Sequence, residues 1–574
     1  MPASRKPPAA AADALRVTLG KVFGFTRLRP GQQAVIDRVM AGRSTLAIMP
    51  TGAGKSLCYQ LPALLLTGRT IVVSPLIALM KDQCEALREK GVAAVQLNSA
   101  VDSDEHREAL AAVADGSAKI IMVTPERLAE PEFTATLRER EISLLVVDEA
   151  HCISQWGHDF RPAFLEIGPA VKALGKPVVL ALTATAAEEA VKDISQQLGI
   201  ARDGVVHTGS YRPNLDLRVE QVAREADKLE RAVALVQRRE GSAVVYAATI
   251  KAAQQVHDAL LAAGESVGLY HGKLGAADRA AVQEAFMSGE RRVMVATNAF
   301  GLGIDKPDIR FVLHYQLPPN LEAYYQEAGR AGRDGEHAAC TLLFLRADKS
   351  VQQFFMLGRY PSADDAKALY AALQEPSPEG DAWTLPLLQG RLARPRSKLQ
   401  VALGLLRRRK IVDQDGDGVR LLRNGIGDEE LEALMSTYGD KRTRDRDGLE
   451  RMVAYAQSGQ CRWRSLLEHM AGEAPFERCG HCDNCRRIAA HESVLDEIAR
   501  QPSGGEATAK DDAPAFNRGD VVKVKRYGRG LVEEANALQV TVTFSDGAKR
   551  CFQPDYVAPY RARAMKAPDV SAPA

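Results

Sequence analysis

The segment Met49-Pro50-Thr51-Gly52-Ala53-Gly54-Lys55-Ser56 has the residue types of a phosphate cradle. Gly52 and Gly54 let backbone N–H groups turn toward phosphate oxygens with no Cβ in the way, and a following helix start adds partial positive charge. Lys55 would reach the β- and γ-phosphates of a nucleotide, and the Ser56 hydroxyl would ligate magnesium. Met49 stands where the general pattern has glycine. Further along, the apolar run Leu144-Leu145-Val146-Val147 ends in Asp148-Glu149-Ala150-His151. Asp148 is suited to hold magnesium through water, and Glu149 to orient or deprotonate an attacking water. Arg330 and Arg333 are three apart, so on a helix start they would share one face. Arginines delivered from a second domain stabilise the charge that builds on a transferred phosphoryl group.

A separate chemistry sits in the cysteines. Nine occur in 574 residues, and four of them are Cys461, Cys479, Cys482 and Cys485. The close C-x2-C-x2-C spacing lets one turn supply three thiolates, and Cys461 completes a tetrahedral zinc set with no open position. His481 lies inside the run and reads as a bystander. Clustered cysteines without a secretion signal at Met1–Ala12 point to a reducing compartment, hence a cytoplasmic protein.

The elements that must position these groups follow from hydrophobic patterning. Short β-branched runs at Thr45–Ile48, Thr70–Ser74, Ile120–Thr124, Leu144–Asp148 and Val178–Thr183 alternate with stretches of helical length. The rhythm restarts at Ser242–Ala247 and continues through Val293–Thr297, Phe311–Tyr315 and Thr341–Phe344. Such alternation predicts two α/β domains in tandem, each a parallel sheet covered by helices. In 384–422 a short helix, a turn and a longer helix precede a hairpin at Asp415-Gly416-Asp417-Gly418. Ser397 is expected to cap the longer helix, whose apolar face is Leu399, Ala402, Leu403 and Leu406. Helix–turn–helix plus a wing is a DNA-binding form. Composition is ordinary for a globular chain, with 46% apolar and 26% charged residues, which excludes a mainly disordered protein. The net charge of +2 excludes a uniformly basic DNA-coating protein but not a local DNA groove. No stretch approaches the apolar length of a membrane span.

With these segments the chain resembles the superfamily 2 DNA helicases, and specifically the RecQ family. Phe23-Gly24-Phe25-Thr26-Arg27-Leu28-Arg29-Pro30-Gly31-Gln32 is similar to the family's adenine-reading element. The resemblance implies that Phe25 stacks on the base and that Arg29 and Gln32 bond its edge. Asp148-Glu149-Ala150-His151 looks like the family's DExH box, which brings His151 into the catalytic set. Cys152-Ile153-Ser154-Gln155-Trp156-Gly157-His158-Asp159-Phe160-Arg161-Pro162 resembles its aromatic-rich loop. Thr183-Ala184-Thr185 is similar to the element coupling the lobes, and Ala296 to Pro307, with Thr297 and Asp305, to the second lobe's DNA and nucleotide face. The resemblance implies two RecA-like lobes that bind ATP with Mg2+ and move 3′ to 5′ along single-stranded DNA. It places Thr51, Gly52, Gly54, Lys55, Ser56 and Asp305 at the nucleotide, and Ser74, Thr124, Arg127, Trp156, Phe160, Arg161 and Thr297 at DNA. Hydroxyl donors bind phosphate without reading sequence, and Trp156 and Phe160 offer stacking faces worth about 1–3 kcal/mol each.

The expected organisation is a tail at 1–11, lobe 1 at 12–210 and lobe 2 at 211–345. A winged-helix-like region follows at 346–440, a Zn2+ module at 441–490, a linker at 491–515 and a β-barrel at 516–562. Unlike the usual family order, the winged helix precedes the zinc cysteines. The last segment, with Tyr527-Gly528-Arg529-Gly530 and Val542-Thr543-Phe544, resembles the Tudor-like barrel of UvrD-type helicases. It implies docking to RNA polymerase or a repair factor. The function expected is an ATP-dependent DNA helicase of recombination and repair, acting on single-stranded and branched DNA near the nucleoid. The alternatives are a DNA-stimulated translocase with little unwinding, an RNA helicase, and a non-enzymatic DNA-binding protein.

Overall fold

Seven short strands form the first sheet: β1 (Thr45–Ile48), β2 (Arg69–Val73), β3 (Ala94–Leu97), β4 (Ile120–Val123), β5 (Ile142–Val147), β6 (Val178–Thr183) and β7 (Val205–His207). The structure, a computed structural model, describes residues 9–560 apart from 30, 99–100, 102, 155–160, 185–187, 302–303, 305, 360, 379, 381, 416–417, 501–515, 526, 537–538 and 546. The spatial order is β3-β4-β2-β5-β6-β1-β7, with parallel pairing throughout. Ile71, Val73, Leu145 and Val147 enter one apolar cluster, while Val72, Leu144 and Val146 enter another. The period of two sends alternate residues to opposite faces, and helices cover both. Because all strands run the same way, the segments after β1, β2, β4, β5 and β6 emerge at one edge of the sheet. β6 lies between β1 and β5, so it brings the phosphate loop and the paired carboxylates to either side of Thr183.

The second sheet contains β8 (Leu215–Gln221), β9 (Ser242–Tyr246), β10 (Val267–Tyr270), β11 (Val293–Ala296), β12 (Ile309–His314) and β13 (Ala338–Phe344). Its order is β10-β11-β9-β12-β13-β8. Residues 208–214 connect the two sheets. Arg330 and Arg333 do not sit on a helix start: they lie in the turn just past the end of the helix Leu321–Ala328, where Gly329 ends the helix. Its cap is the Asn320 side chain, which accepts from the Ala323 N–H at 2.8 Å.

Beyond lobe 2, the helices Ala363–Gln374, Leu385–Leu392 and Arg396–Arg408 pack around Leu388, Leu399, Ala402, Leu403 and Leu406. β14 (Trp383–Thr384), β15 (Val412–Asp415) and β16 (Gly418–Leu421) make a small antiparallel sheet in the order β14-β16-β15. The helix Arg396–Arg408 starts one residue before Ser397, with Pro395 as its cap and no side-chain cap bond. The cap position therefore falls to Pro395, two residues before Ser397. A 30-residue helix, Asp428–Gln457, follows.

Contacts divide the chain into two compact units. One contains both parallel sheets and the three-helix region, spanning residues up to Leu215, Val219–Ala456 and Leu466–Glu473. The other holds Asp216–Arg218, Gln457–Ser465 and everything from Ala474. In the second unit, β17 (Val521–Val524), β18 (Gly528–Ala535), β19 (Val540–Phe544), β20 (Lys549–Phe552) and β21 (Val557–Pro559) form an antiparallel sheet in the order β20-β19-β18-β17-β21. Val522, Val524, Val532, Val540, Val542 and Phe544 make its core. Among the described residues the ladders join the five strands into one antiparallel sheet with β20 and β21 at its ends.

Two boundaries differ from expectation. The helix Asp483–Arg500 extends through Arg500, well into the supposed linker, because Leu495 is buried and Arg529 of β18 bonds Asp496 on this helix. At the other end the helix Ala9–Phe23 begins inside the supposed tail; Leu15 and Leu19 pack into the first lobe's core. No described helix is long and apolar enough to cross a membrane.

Candidate nucleotide cleft and zinc centre

The turn after β1 is held by two glycines in the left-handed region, Gly52 at φ 83° and Gly54 at φ 77°. A side chain at 54 would also strike Gln32, since an added Cβ would lie 2.6 Å from Gln32 Nε2. The helix Leu57–Leu65 then begins at Ser56. Ser56 Oγ accepts a hydrogen bond from Gln83 Nε2 at 3.0 Å, and Gln83 Oε1 accepts from the Tyr59 hydroxyl. Gln83 was not marked in the sequence; a lone polar residue on an amphipathic helix gives no signal.

A cleft of about 420 Å³ gathers Lys55, Ser56, Asp148 and Glu149 from the first lobe with Arg330 and Arg333 from the second. Phe25, Arg29, Gln32, Thr51, Gly52 and Gly54 line it as well. Phe25 is 53% exposed, so its ring face is open to a base. Gln32 is buried and turned inward. Its amide nitrogen donates to the carbonyls of Ala53 at 3.1 Å and Gly54 at 2.9 Å, and its oxygen accepts from Arg29 N at 2.7 Å. The Arg29 guanidinium bonds the Gly52 carbonyl. Both residues thus brace the phosphate loop while lining the cleft.

Asp148 caps its successor, accepting from Glu149 N at 3.0 Å. Burial, and then the neighbouring Glu149 carboxylate, push Asp148 up to about 6, against the pull of Lys55. Glu149 sits in the left-handed region at φ 49°, a conformation that costs a non-glycine residue of order 1–3 kcal/mol and clusters at functional sites. Its Oε2 lies 3.3 Å from His151 Nδ1, and that nitrogen is 3.1 Å from Thr183 Oγ1. Burial disfavours the His151 imidazolium, but the Cys152 sulfur and the Glu149 carboxylate beside it raise it to about 10. One buried ring nitrogen therefore faces both the Glu149 carboxylate and the hydroxyl at the end of β6.

Arg330 is 7% exposed, lines the cleft, and lies beside the buried Tyr246 hydroxyl, where its charge opposes the rise that burial imposes on that group. The Arg333 side chain lies against Gly52, with Cγ 3.2 Å from where a Cβ would be. Ser56 and Asp148 offer hard oxygen donors at the same cleft, which suits magnesium.

The residues read as DNA contacts fall into three groups. Ser74 and Thr124 follow β2 and β4 at the sheet edge, where their hydroxyls accept from Leu76 N and Arg127 N. Arg161 Nη1 reaches the Pro75 carbonyl at 3.4 Å, beside Ser74. Arg127 is folded back onto Glu130 and lies 4.9 Å over the Phe133 ring. Thr297 follows β11 in the other lobe and is 6% exposed. Trp156 and Phe160, and Asp305 of the expected nucleotide set, lie outside the described residues.

The four predicted cysteine sulfurs converge in the second unit, all within 4.8 Å of one another. Cys479 Sγ and Cys485 Sγ are 3.9 Å apart, against the roughly 3.8 Å edge of a tetrahedron with Zn–S bonds of about 2.3 Å. Backbone N–H groups of Arg462, Cys479, Cys482 and Cys485 point at cluster sulfurs at 3.3–3.4 Å. They offset negative charge on thiolates. His481 is not in the cluster. Arg462 bonds Asp483 at 3.0 Å, and Asn484 Nδ2 donates to the carbonyls of Ser458 and Gln460, tying the ligand-bearing turns together.

Comparison with known proteins agrees with this architecture. Residues 29–194 match the DEAD/DEAH box helicase family, 226–335 the helicase conserved C-terminal domain, and 414–486 the RecQ zinc-binding family. The chain is 34% identical to the ATP-dependent DNA helicase RecQ of Synechocystis over 492 residues, covering 82% of this chain and 98% of that one. It is 46% identical to the ATP-dependent DNA helicase RecQ of Bacillus subtilis over 340 residues, 59% of this chain and 57% of the relative. The match therefore spans little more than half of the Bacillus protein. Among solved structures, Mss116p bound to single-stranded RNA and AMP-PNP superposes with a TM-score of 0.51 at 18% identity, over 65% of this chain and 83% of that one. The DUF1998 helicase MrfA bound to DNA and AMPPNP gives 0.50 at 19% identity, over 74% and 63%. Both share the two-lobed fold.

Proposed function

The chain belongs to the RecQ family of superfamily 2 helicases, and from that premise we propose that it is an ATP-driven 3′-to-5′ DNA helicase of recombination and repair. The observation that carries the reading is the cleft in which one lobe supplies Lys55, Ser56, Asp148 and Glu149 and the other supplies Arg330 and Arg333. Ser56 and Asp148 would hold magnesium, which would supply positive charge to offset the negative charge of the nucleotide's phosphates. Lys55 and the loop amides grip the phosphates. Glu149 orients the attacking water, with His151 and Thr183 holding its carboxylate in place. Arg330 and Arg333 stabilise charge on the transferred phosphoryl group, so turnover requires the lobes to be together. Alternating grip on the DNA backbone then converts closure and release into steps. Ser74, Thr124 and Arg161 are the first-lobe contacts and Thr297 the second-lobe contact. Arg127 would have to leave Glu130 to join them.

The four cysteines would hold a structural zinc, since four protein ligands leave no position for substrate. The three-helix region with its wing, placed before the cysteines, is a candidate duplex-binding element. The C-terminal sheet is a docking module for a protein partner at the nucleoid.

The test is ATP hydrolysis by the wild type and by Lys55→Ala, with no nucleic acid, with single-stranded DNA and with RNA. DNA-stimulated turnover that the variant lacks is expected. Equal stimulation by RNA, or turnover that survives in Lys55→Ala, would contradict the proposal.

A further inference from the structure

Residues 208–214, which connect the two sheets, do more than span a gap. Thr208 N donates to the Ile48 carbonyl at 3.1 Å, so the connector starts at the strand that launches the phosphate loop. The Ser210 carbonyl accepts from the Tyr325 hydroxyl at 2.7 Å, on the helix that leads to Arg330 and Arg333. Between these anchors lies Arg212, which does not line the cleft.

An arginine guanidinium has five N–H donors in a fixed fork. In Arg212 all five are taken. Nε donates to Asn214 Oδ1 at 3.2 Å. Nη1 donates to the Thr51 carbonyl at 2.7 Å and to the Gly329 carbonyl at 3.3 Å. Nη2 donates to the carbonyls of Ala331 at 3.0 Å and Gly332 at 2.6 Å. Asn214 repeats the pattern, its Nδ2 donating to the Gly332 and Glu336 carbonyls at 2.8 Å each. Three of the acceptors of Arg212 belong to the loop that carries Arg330 and Arg333. One, Thr51, belongs to the phosphate loop of the other lobe. No acceptor is a carboxylate, so the geometry of the fork, not charge pairing, selects this arrangement.

We propose that Arg212 is a positioning residue that latches the arginine-bearing loop of the second lobe to the phosphate loop of the first when the lobes close on ATP. The bonds to Gly329, Ala331, Gly332 and Asn214 keep the loop in shape whatever the lobes do. The bond to Thr51 exists only when they meet. An interaction made in one state alone biases the equilibrium toward that state, and by linkage it strengthens any ligand that prefers it. A triphosphate that touches both lobes is such a ligand; a diphosphate held by the first lobe is not. Lysine cannot substitute, because a point-like ammonium with three donors cannot span both loops.

The inference rests on the ATP-driven reading above. The test compares wild type, Arg212→Lys and Asn214→Ser in the full chain, measuring affinity for AMP-PNP and for ADP with single-stranded DNA present, and turnover. Arg212→Lys is expected to lose at least about tenfold in AMP-PNP affinity and in DNA-stimulated kcat, the size of one charge-assisted hydrogen bond, while ADP affinity stays within about twofold. Asn214→Ser, which loosens the fork without removing it, should show the same pattern more weakly. An unchanged AMP-PNP-to-ADP ratio in Arg212→Lys overturns the latch. So does an equal loss for both nucleotides, which would mean general damage to the first lobe. If the wild type shows no DNA-stimulated turnover, the helicase reading fails, and the nucleotide ratio still decides the latch by itself.

Discussion

Gly329→Ala tests how closely the lobes must approach. Gly329 has φ −65° and ψ −7°, so alanine meets no backbone restriction there. Its Cβ would lie 3.2 Å from Thr51 Cβ in the other lobe and 2.9 Å from the Tyr325 carbonyl oxygen. Carbon–carbon contacts relax to about 3.5–4.0 Å, so the lobes must separate locally by about 0.3–0.8 Å. Misplacement of about 1 Å at a catalytic constellation costs on the order of 100-fold, so a drop in kcat of roughly 10-fold or more is expected. Some loss of stability is also expected, because the 2.9 Å approach to the Tyr325 backbone oxygen forces the helix end to shift and alanine regains only up to about 1 kcal/mol of propensity. The assay is DNA-stimulated ATP turnover beside a thermal melt and ADP affinity. Wild-type kcat with an unaltered melt would refute the reasoning, since the contact between Thr51 and Gly329 would then be dispensable for turnover.

Gly54→Ala should weaken nucleotide binding by about tenfold or more. It forces a non-glycine residue into the left-handed region at about 1–2 kcal/mol and displaces the Gln32 amide from two carbonyls at about 0.5–1.5 kcal/mol each. Unchanged affinity for AMP-PNP would count against the bracing role of Gln32. Cys482→Ala removes one of four converging sulfurs and should release zinc and unfold its surroundings, since structural zinc carries apparent binding energy of about 10–16 kcal/mol in small domains. Metal content and circular dichroism of the purified variant check this; a folded, zinc-free protein with normal DNA binding would contradict it.

The strands visible in the sequence were those in the middle of each sheet. β2, β4, β5 and β6 are buried on both faces and read as unbroken apolar runs. The strands without such a signal, β3, β7, β8 and β10, are the four at the sheet edges, where one flank is open and polar residues intrude. The chemical groups were legible for a different reason. A phosphate loop, a carboxylate pair and clustered cysteines need fixed residue types at short spacings, and all of these converge at the cleft or the zinc centre. Arg212 and Gln83 were not legible, because their partners are backbone carbonyls or a hydroxyl distant in sequence. Gln32 was legible as a site residue, but its turn toward Ala53 and Gly54 depends on the fold. The length of the helix Asp483–Arg500 was missed because its stabilising contact, Arg529 with Asp496, comes from a strand beyond the linker.

The most direct test of the account is unwinding of a 3′-tailed DNA duplex by the full chain with ATP, beside Lys55→Ala. The account predicts that the wild type separates the strands only while ATP is hydrolysed, that a 5′-tailed duplex is a poor substrate, and that the variant does neither. Brisk DNA-stimulated hydrolysis with the duplex left intact would contradict it, and would make the chain a translocase in which the two lobes turn over ATP without parting the strands.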